Sequence, residues 1–213
     1  MFPSNEKLFP MKIISTILFL TLSLTTFSKN PYNILFLGDS LTEGYGVPTE
    51  KAYPVLVKKR LVTKLGKKVE IFNLGVSGST TSSGLMRLKW ITEQKKIDLM
   101  ILALGANDGL RGISLKKSRQ NLVDIIRFAK EKKIKIILAG MKIPPNYGED
   151  YRSGFEKVFK DLAKTHKVTF LPFLLKDVAG IKALNLPDGI HPNEKGHEVM
   201  AQTVFNVLKD FVK

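Results

Sequence analysis

The chain has 213 residues, 44% of them hydrophobic, which is enough for one domain with a full apolar core. Its 16 glycines and 10 prolines argue against a fibrous or disordered protein, and the absence of cysteine excludes disulfides, thiolate metal ligands and a lipid-modified cysteine. The formal net charge of +15 raises the question of an anionic partner, either nucleic acid or an acidic membrane.

The first predicted element is an apolar segment near the N-terminus. Residues 13–28 carry no charge, Lys12 stands directly before them, and Thr26-Phe27-Ser28 offers small residues to a signal peptidase. The apolar part is short for a membrane span, which needs about 20 residues. We therefore expect residues 1–28 to be a signal peptide that is removed, in preference to an uncleaved anchor, and residues 29–213 to form the exported domain.

Five short apolar runs follow, separated by segments with helical periodicity. The runs are mostly continuous, as expected of strands buried on both faces of a parallel sheet, and cover 33–37, 69–74, 99–104, 134–139 and 168–173. The helical segments cover 53–65, 84–94, 115–130, 151–164 and 194–212. In the last helix one stripe consists of Val199, Thr203, Val207 and Phe211, with Met200 and Val204 beside it. This alternation predicts a flavodoxin-like three-layer α/β/α sandwich with a five-stranded parallel sheet.

Glycines and polar residues follow the predicted strands. They occupy 38–40, 75–78, 105–109 and 144–148 after the first four strands, and a final loop at 188–191 precedes the last helix. Ligands of such sheets bind outside the carboxyl ends of the strands, so we expect these loops to share one edge.

Ser40 and His191 are the candidate nucleophile and base at this edge. A hydroxyl is a poor nucleophile until a base takes its proton. Of the three histidines, His166 lies in a charged turn and His197 within the last helix, where exposure or packing is the ordinary role. His191 alone sits in a tight loop. The simpler alternative for Ser40 is that it caps the next helix.

Asp188 and a set of N–H donors complete a possible acyl-transfer site. Asp188 lies three residues before His191 and can orient its imidazole, although it could instead satisfy N–H groups of its own turn. The backbone N–H groups of Ser40 and Gly78 and the side-chain amide of Asn107 can form an oxyanion hole. A plain Asn-Asp turn is the alternative for Asn107.

Other site classes find less support. The chain has no Gly-Lys-Ser/Thr phosphate cradle, no Gly-x-Gly-x-x-Gly after the first strand and no Gly-x-Ser-x-Gly elbow. Asp39, Asp108 and Asp188 with one nearby histidine are too few for a divalent metal. The lysines are scattered along helix-like segments without interleaved aromatics, so nucleic acid is not expected. Solvated helix faces explain them most simply, with peripheral contact to an anionic membrane as the alternative.

Four blocks in order resemble the SGNH (GDSL-type) hydrolase family: 38–41, 73–78, 105–108 and 188–193. Within it the chain is similar to the exported bacterial arylesterase, acyl-CoA thioesterase and lysophospholipase branch, on the likenesses at 107–112, 145–148 and 171–173. The resemblance implies that Ser40, Asp188 and His191 form the triad. It also implies that Ser40, Gly78 and Asn107 form the oxyanion hole and that Asp39 supports the nucleophile turn.

The resemblance further implies a mobile loop at 109–112 beside an acyl groove. We therefore assign a substrate loop to Gly109, Leu110, Arg111 and Tyr147, and the apolar Ile143 and Leu186 also lie near these loops. The expected protein is a monomeric serine esterase of small-molecule or lipid esters that needs no cofactor or metal. The alternatives are a carbohydrate O-acetylesterase and a membrane-surface binding protein with incidental esterase activity.

Overall fold

The structure, a computed structural model, describes residues 30–212, and the predicted signal peptide at residues 1–28 lies outside the described residues. Five strands form one parallel sheet in the order β2-β1-β3-β4-β5. Their bounds are β1 Tyr32–Gly38, β2 Val69–Gly75, β3 Leu99–Ala103, β4 Lys135–Ala139 and β5 Thr169–Leu171. This order is that of flavodoxin-like sheets, and the predicted five-stranded parallel sheet is confirmed.

Seven α-helices connect and cover the strands within residues 30–212. Their bounds are α1 Ser40–Glu43, α2 Tyr53–Leu65, α3 Gly84–Gln94, α4 Ala106–Leu110, α5 Leu115–Glu131, α6 Glu149–His166 and α7 Glu194–Leu208. Helix α7 is shorter than predicted because a 3₁₀ turn, Lys209–Phe211, replaces its last residues. No helix in the described part of the chain is long and apolar enough to cross a membrane.

The helices lie on both sides of the sheet and form the outer layers. Helix α2 packs beside α7, whereas α5 packs between α3 and α6. The central strands β1 and β3 lie between these layers, and Ile34–Leu37 and Leu99–Leu102 have no exposed surface. Burial on both faces explains why these strands appear in the sequence as continuous apolar runs.

Helix α7 packs on the core through a face that includes only part of the expected apolar surface. Its buried residues are Gly196, His197, Met200, Ala201, Val204, Phe205 and Leu208. Met200 and Val204, predicted beside the stripe, are thus buried, whereas the stripe itself, Val199, Thr203, Val207 and Phe211, is half-buried at the margin of this face. The difference centres on His197, a polar residue in the core because its ring accepts a backbone hydrogen bond from Tyr53.

Two glycines let the chain turn sharply over the carboxyl ends of β1 and β2. A Cβ atom on Gly38 would lie 2.0 Å from Oγ1 of Thr42, and one on Gly75 would lie 2.1 Å from the backbone nitrogen of Glu43. No side chain fits at either position. Helix α1 can therefore fold back onto the sheet edge, and it carries Ser40 there.

Candidate active site

Ser40 is the first residue of α1, and its hydroxyl is not used to cap that helix. The cap is Asp39, whose Oδ1 accepts the N–H of Leu41 at 3.1 Å. The Ser40 hydroxyl instead lies 2.9 Å from Nε2 of His191, although 151 residues separate the two in sequence. The position next to the cap places Ser40 Oγ at the strand end, where it faces the loop before α7.

Asp188 holds the other side of the His191 ring. Its Oδ2 lies 2.7 Å from Nδ1 of His191, while its Oδ1 accepts the backbone N–H groups of Ile190 and His191 at 3.0 Å each. Partial burial opposes ionisation of Asp188, but these hydrogen bonds outweigh it and lower the pKa of the carboxyl. An ionised Asp188 keeps the proton of a neutral His191 on Nδ1, which leaves Nε2 free to accept the Ser40 O–H.

Tyr45 covers the His191 ring, a contact that the sequence did not indicate. The two ring centroids lie 4.6 Å apart with an interplanar angle of 42°. The backbone N–H of Tyr45 donates to the carbonyl of Ser40 at 3.0 Å, so the turn after α1 fixes its position. Nothing near Tyr45 in the sequence points to His191, because the pair forms only when the two loops meet.

Three groups of N–H donors face the cleft that contains Ser40. Gly78 has a φ of +74°, and its N–H, like that of Ser40, has no acceptor within residues 30–212. The Asn107 amide donates one hydrogen to the carbonyl of Ser79 at 3.0 Å, which leaves the second hydrogen free. Ser40, Gly78 and Asn107 all line the same cleft. Donors placed in this way can stabilise a developing oxyanion.

Asp108 anchors the loop that carries Asn107. Its buried carboxylate accepts the N–H of Thr81 at 2.8 Å, the hydroxyl of Thr81 at 2.6 Å and the hydroxyl of Ser118 at 3.0 Å. These bonds tie the loop after β3 to the loop after β2 and to α5. The aspartates considered as metal ligands thus belong to separate networks, because Asp39 caps α1 and Asp188 holds His191.

Asp39 and Arg87 lie beneath the nucleophile turn. The Asp39 side chain is fully buried, and its Oδ2 has no hydrogen-bond partner in the described part of the chain. Burial raises the pKa of Asp39 to about 6, against the opposing effects of the Leu41 N–H and the charges of His191 and Arg87. Arg87 Nη1 donates to the carbonyls of Gly38 at 2.9 Å and Leu74 at 2.5 Å, and so joins the ends of β1 and β2.

A cleft of about 750 Å³ opens beside Ser40 and His191. This size is typical of pockets that hold small organic ligands. Its apolar lining includes Leu110, Met141, Ile143, Phe173, Leu175 and Ile190. The cleft can therefore accept an apolar group on one side of a bond held at Ser40.

Of the predicted substrate-loop residues, Leu110 lines the cleft and the other three support its wall. The Tyr147 hydroxyl donates to the carbonyl of Leu110 at 2.8 Å, and Arg111 Nη2 donates to the carbonyl of Gly78 at 3.0 Å. Gly109 is packed so closely that a Cβ would lie 2.6 Å from Cγ2 of Ile143. Leu186 is not among the residues that line the cleft.

Comparison with known proteins places this chain among ester-cleaving enzymes. Residues 36–199 match the GDSL-like lipase/acylhydrolase family. The chain is 35% identical to the arylesterase of Vibrio mimicus, over 93% of this chain and 98% of the relative. It is 33% identical to thioesterase 1/protease 1/lysophospholipase L1 of Escherichia coli K12, over 91% of this chain and 92% of the relative.

A solved structure of similar fold carries a bound inhibitor. The crystal structure of the psychrotrophic esterase EstA from Pseudoalteromonas sp., inhibited by monoethylphosphonate, has a TM-score of 0.80 and 29% sequence identity to this chain. The match covers 84% of this chain and 98% of that one.

Proposed function

Because the chain belongs to the GDSL-like lipase/acylhydrolase family, we propose that it is a serine esterase that works through an acyl-enzyme on Ser40. One observation carries the assignment: an unbroken line of hydrogen bonds, 2.7 Å from Asp188 to His191 and 2.9 Å from His191 to Ser40. This is the geometry in which a base can take the proton of a hydroxyl while a carboxylate orients it.

In the first half of the reaction, Oγ of Ser40 attacks the ester carbonyl as Nε2 of His191 takes its proton. The new oxyanion accepts hydrogen bonds from the N–H groups of Ser40 and Gly78 and from the Asn107 amide. Asp188 stabilises the imidazolium that forms and does not itself take the proton.

In the second half, the imidazolium of His191 gives its proton to the leaving alcohol or thiol as the carbonyl re-forms. The acyl group then remains on Ser40. Water enters, loses a proton to Nε2 of His191 and attacks the acyl carbonyl within the same oxyanion hole. Collapse of this second intermediate returns the proton to Oγ of Ser40 and releases the acid.

The substrates we propose are carboxylic esters with an apolar acyl or aryl group, including lysophospholipids, with thioesters as a second class. The support is the apolar lining of the cleft and the similarity to an arylesterase and to a thioesterase/lysophospholipase. We further propose that residues 1–28 direct export of a hydrolase domain formed by residues 29–213, because residues 13–28 are free of charge.

Hydrolysis of p-nitrophenyl esters from acetate to palmitate, combined with phosphonate labelling, tests this function. We expect a maximum at a medium or long acyl chain, and loss of both hydrolysis and labelling in Ser40→Ala. Ser82→Ala, which changes an exposed serine outside the cleft, should keep both. If the rate of hydrolysis is highest with the acetate ester, the carbohydrate O-acetylesterase is favoured. Full labelling of Ser40→Ala would show that another residue is the nucleophile.

A further inference from the structure

Lysine is concentrated at the edge of the sheet where the strands begin. Four loops lead from a helix into a strand, and lysine supplies seven of the twelve residues in loops 66–68, 95–98, 132–134 and 167–168. Because all five strands are parallel, these loops share the edge opposite the Ser40 cleft, which we call the amino edge. Of the lysines assigned to helix-like segments from the sequence, those at 58–59, 116–117 and 130 do lie in helices, whereas those at 67–68, 95–96 and 132–133 lie in these loops.

A second cleft, of about 510 Å³, lies within the amino edge. Its lining includes Tyr32, Lys95, Lys96, Lys132, Lys133 and Lys135. The one carboxylate in this lining, Asp98, is already engaged, because it accepts the Asn33 N–H at 2.9 Å and lies 3.3 Å from Lys96 Nζ. The Tyr32 hydroxyl is buried without a partner among the residues described. The cleft thus offers several cations to an oxygen-rich anion.

Stabilisation of helix ends explains only part of this lysine cluster. Helices α2, α3, α5 and α6 all end at the amino edge, and the dipole of each favours a cation at its C-terminus. That effect accounts for one lysine per helix. It does not account for the paired lysines at 95–96 and 132–133 or for Lys135 inside β4. Lys96 pairs with Asp98, and Lys132 and Lys135 lie over the rings of Phe128 and Tyr32, but these contacts offset the repulsion among the cations only in part.

Exposed apolar residues lie near the ends of two helices that lead into the amino edge. Trp90, one turn before the end of α3, is 53% exposed, and Leu65, the last residue of α2, is 37% exposed. Indole rings next to basic side chains are typical of surfaces that rest at the head-group level of a membrane.

We propose that the amino edge docks on an anionic lipid surface, with its lysines on the lipid phosphates and Trp90 among the head groups. The exposed indole favours a membrane over nucleic acid, because it suits an apolar boundary and a single indole does not form a base-stacking platform. In this orientation the Ser40 cleft faces away from the bilayer. The docking does not depend on the chemistry proposed for Ser40.

Vesicle binding by the full chain tests the proposal. Vesicles of phosphatidylcholine alone are compared with vesicles that also contain phosphatidylglycerol, at low and high salt. The triple variant Lys95→Gln, Lys132→Gln, Lys133→Gln should bind the anionic vesicles about a hundredfold more weakly at low salt, since each lysine near such a surface strengthens binding about fivefold. Binding to neutral vesicles, where segment 13–28 can also contribute, should not change.

A matched variant separates local from overall charge. Lys116→Gln, Lys117→Gln, Lys160→Gln removes three exposed lysines away from the amino edge, and it should bind anionic vesicles like the wild type. Both triple variants should hydrolyse a soluble p-nitrophenyl ester normally, which shows that they fold. Equal loss of vesicle binding in both would overturn the proposal, since net charge alone would then explain the effect.

Trp90 reports where the contact lies, because it is the only tryptophan of the chain. Brominated anionic lipids should quench its fluorescence in the wild type and in the matched variant. Binding without quenching would place the contact elsewhere and refute docking by the amino edge. Tighter binding to a duplex oligonucleotide than to anionic vesicles would likewise refute the choice of lipid as partner.

Discussion

Nδ1 of His197 lies 3.2 Å from the backbone nitrogen of Tyr53 and accepts its hydrogen bond at the start of α2. This N–H is one of the donors that a helix leaves unpaired at its N-terminus, so His197 on α7 caps α2 across the core. The Tyr53 hydroxyl lies 3.0 Å from Oγ1 of Thr42 in α1. The same tyrosine thus connects the helix that carries Ser40 to the helix after His191.

His197 should make the protein less stable in acid. Burial, followed by the nearby charge of His191, lowers the pKa of His197 to about 4. Between this value and the unfolded pKa of about 6.5, the unfolded chain binds the extra proton, so the free energy of unfolding falls as pH is lowered. The full loss is about 3 kcal/mol.

The variant His197→Asn tests whether His197 causes this loss of stability in acid. The Asn Oδ1 can accept the backbone N–H of Tyr53, and the Asn side chain does not titrate. The free energy of unfolding of this variant, from urea denaturation between pH 4 and 7, should fall less with acid than that of the wild type. His197→Leu should instead lose about 1–3 kcal/mol throughout, because it leaves the Tyr53 N–H unpaired. An unchanged slope in His197→Asn would assign the acid sensitivity to other groups.

The contribution of Asp39 to the free energy of unfolding should depend on pH in the opposite sense to that of His197. The pKa of Asp39 is raised by burial to about 6, so between the unfolded value of about 3.9 and 6 the folded protein binds the extra proton. Stability from this group is therefore highest in acid and falls as pH rises, by about 3 kcal/mol in full. Between about pH 4 and 6 the contributions of Asp39 and His197 oppose each other, which flattens the wild-type profile.

For each protein, the free energy of unfolding at pH 4 is subtracted from that at pH 8. This difference should be about 2–3 kcal/mol larger in Asp39→Asn than in the wild type. Asn retains an acceptor for the Leu41 N–H and caps helices as well as Asp does. Any cost of burying its amide is the same at both pH values, so the difference isolates the charge. Equal effects at pH 4 and pH 8 would contradict an ionised, buried Asp39.

Asn107→Ala should lower kcat about 10²–10³-fold with little change in KM, because the amide is proposed to bind the oxyanion and not the ground-state carbonyl. Stopped-flow or steady-state hydrolysis of the preferred p-nitrophenyl ester measures this. Asn146→Ala, which removes an exposed amide from the loop after β4, is the control and should keep both parameters. A rise in KM alone would make Asn107 a substrate-binding residue.

The sheet could be predicted because burial on both faces leaves continuous apolar runs such as Ile34–Leu37. Helix α1 could not, since four residues are too few to show a period. The fifth strand ends at Leu171, before its predicted end, because Pro172 cannot continue the hydrogen-bonded ladder. Local pattern thus indicates which elements exist, while their ends depend on backbone chemistry.

The site residues could be named from the sequence because their loops follow strands of one parallel sheet. Three partners carried no local signal. Tyr45 meets His191, Arg87 reaches the carbonyls of β1 and β2, and His197 caps α2 only after distant segments come together. The lysines of the amino edge likewise carried no local signal. Their loops are about thirty residues apart in sequence, and only the parallel strand topology brings them to one edge of the sheet.

Tyr147→Phe should weaken binding of long acyl chains more than of short ones. The Tyr147 hydroxyl holds the carbonyl of Leu110, whose side chain lines the apolar part of the cleft. One hydrogen bond of this kind contributes about 0.5–1.5 kcal/mol, so KM for a long-chain ester should rise about two- to tenfold. Acetate, which does not reach along the cleft wall, should keep its KM.

Tyr151→Phe is the matched control, because the Tyr151 hydroxyl donates to the carbonyl of Ile113 at 3.0 Å in the same loop but away from the cleft. It should destabilise the loop to a similar degree without a chain-length effect. If both variants raise KM equally for all esters, the loop responds as a whole and Leu110 has no particular role. A selective rise in Tyr147→Phe alone would identify Leu110 as part of the wall that holds the acyl chain while Ser40 attacks.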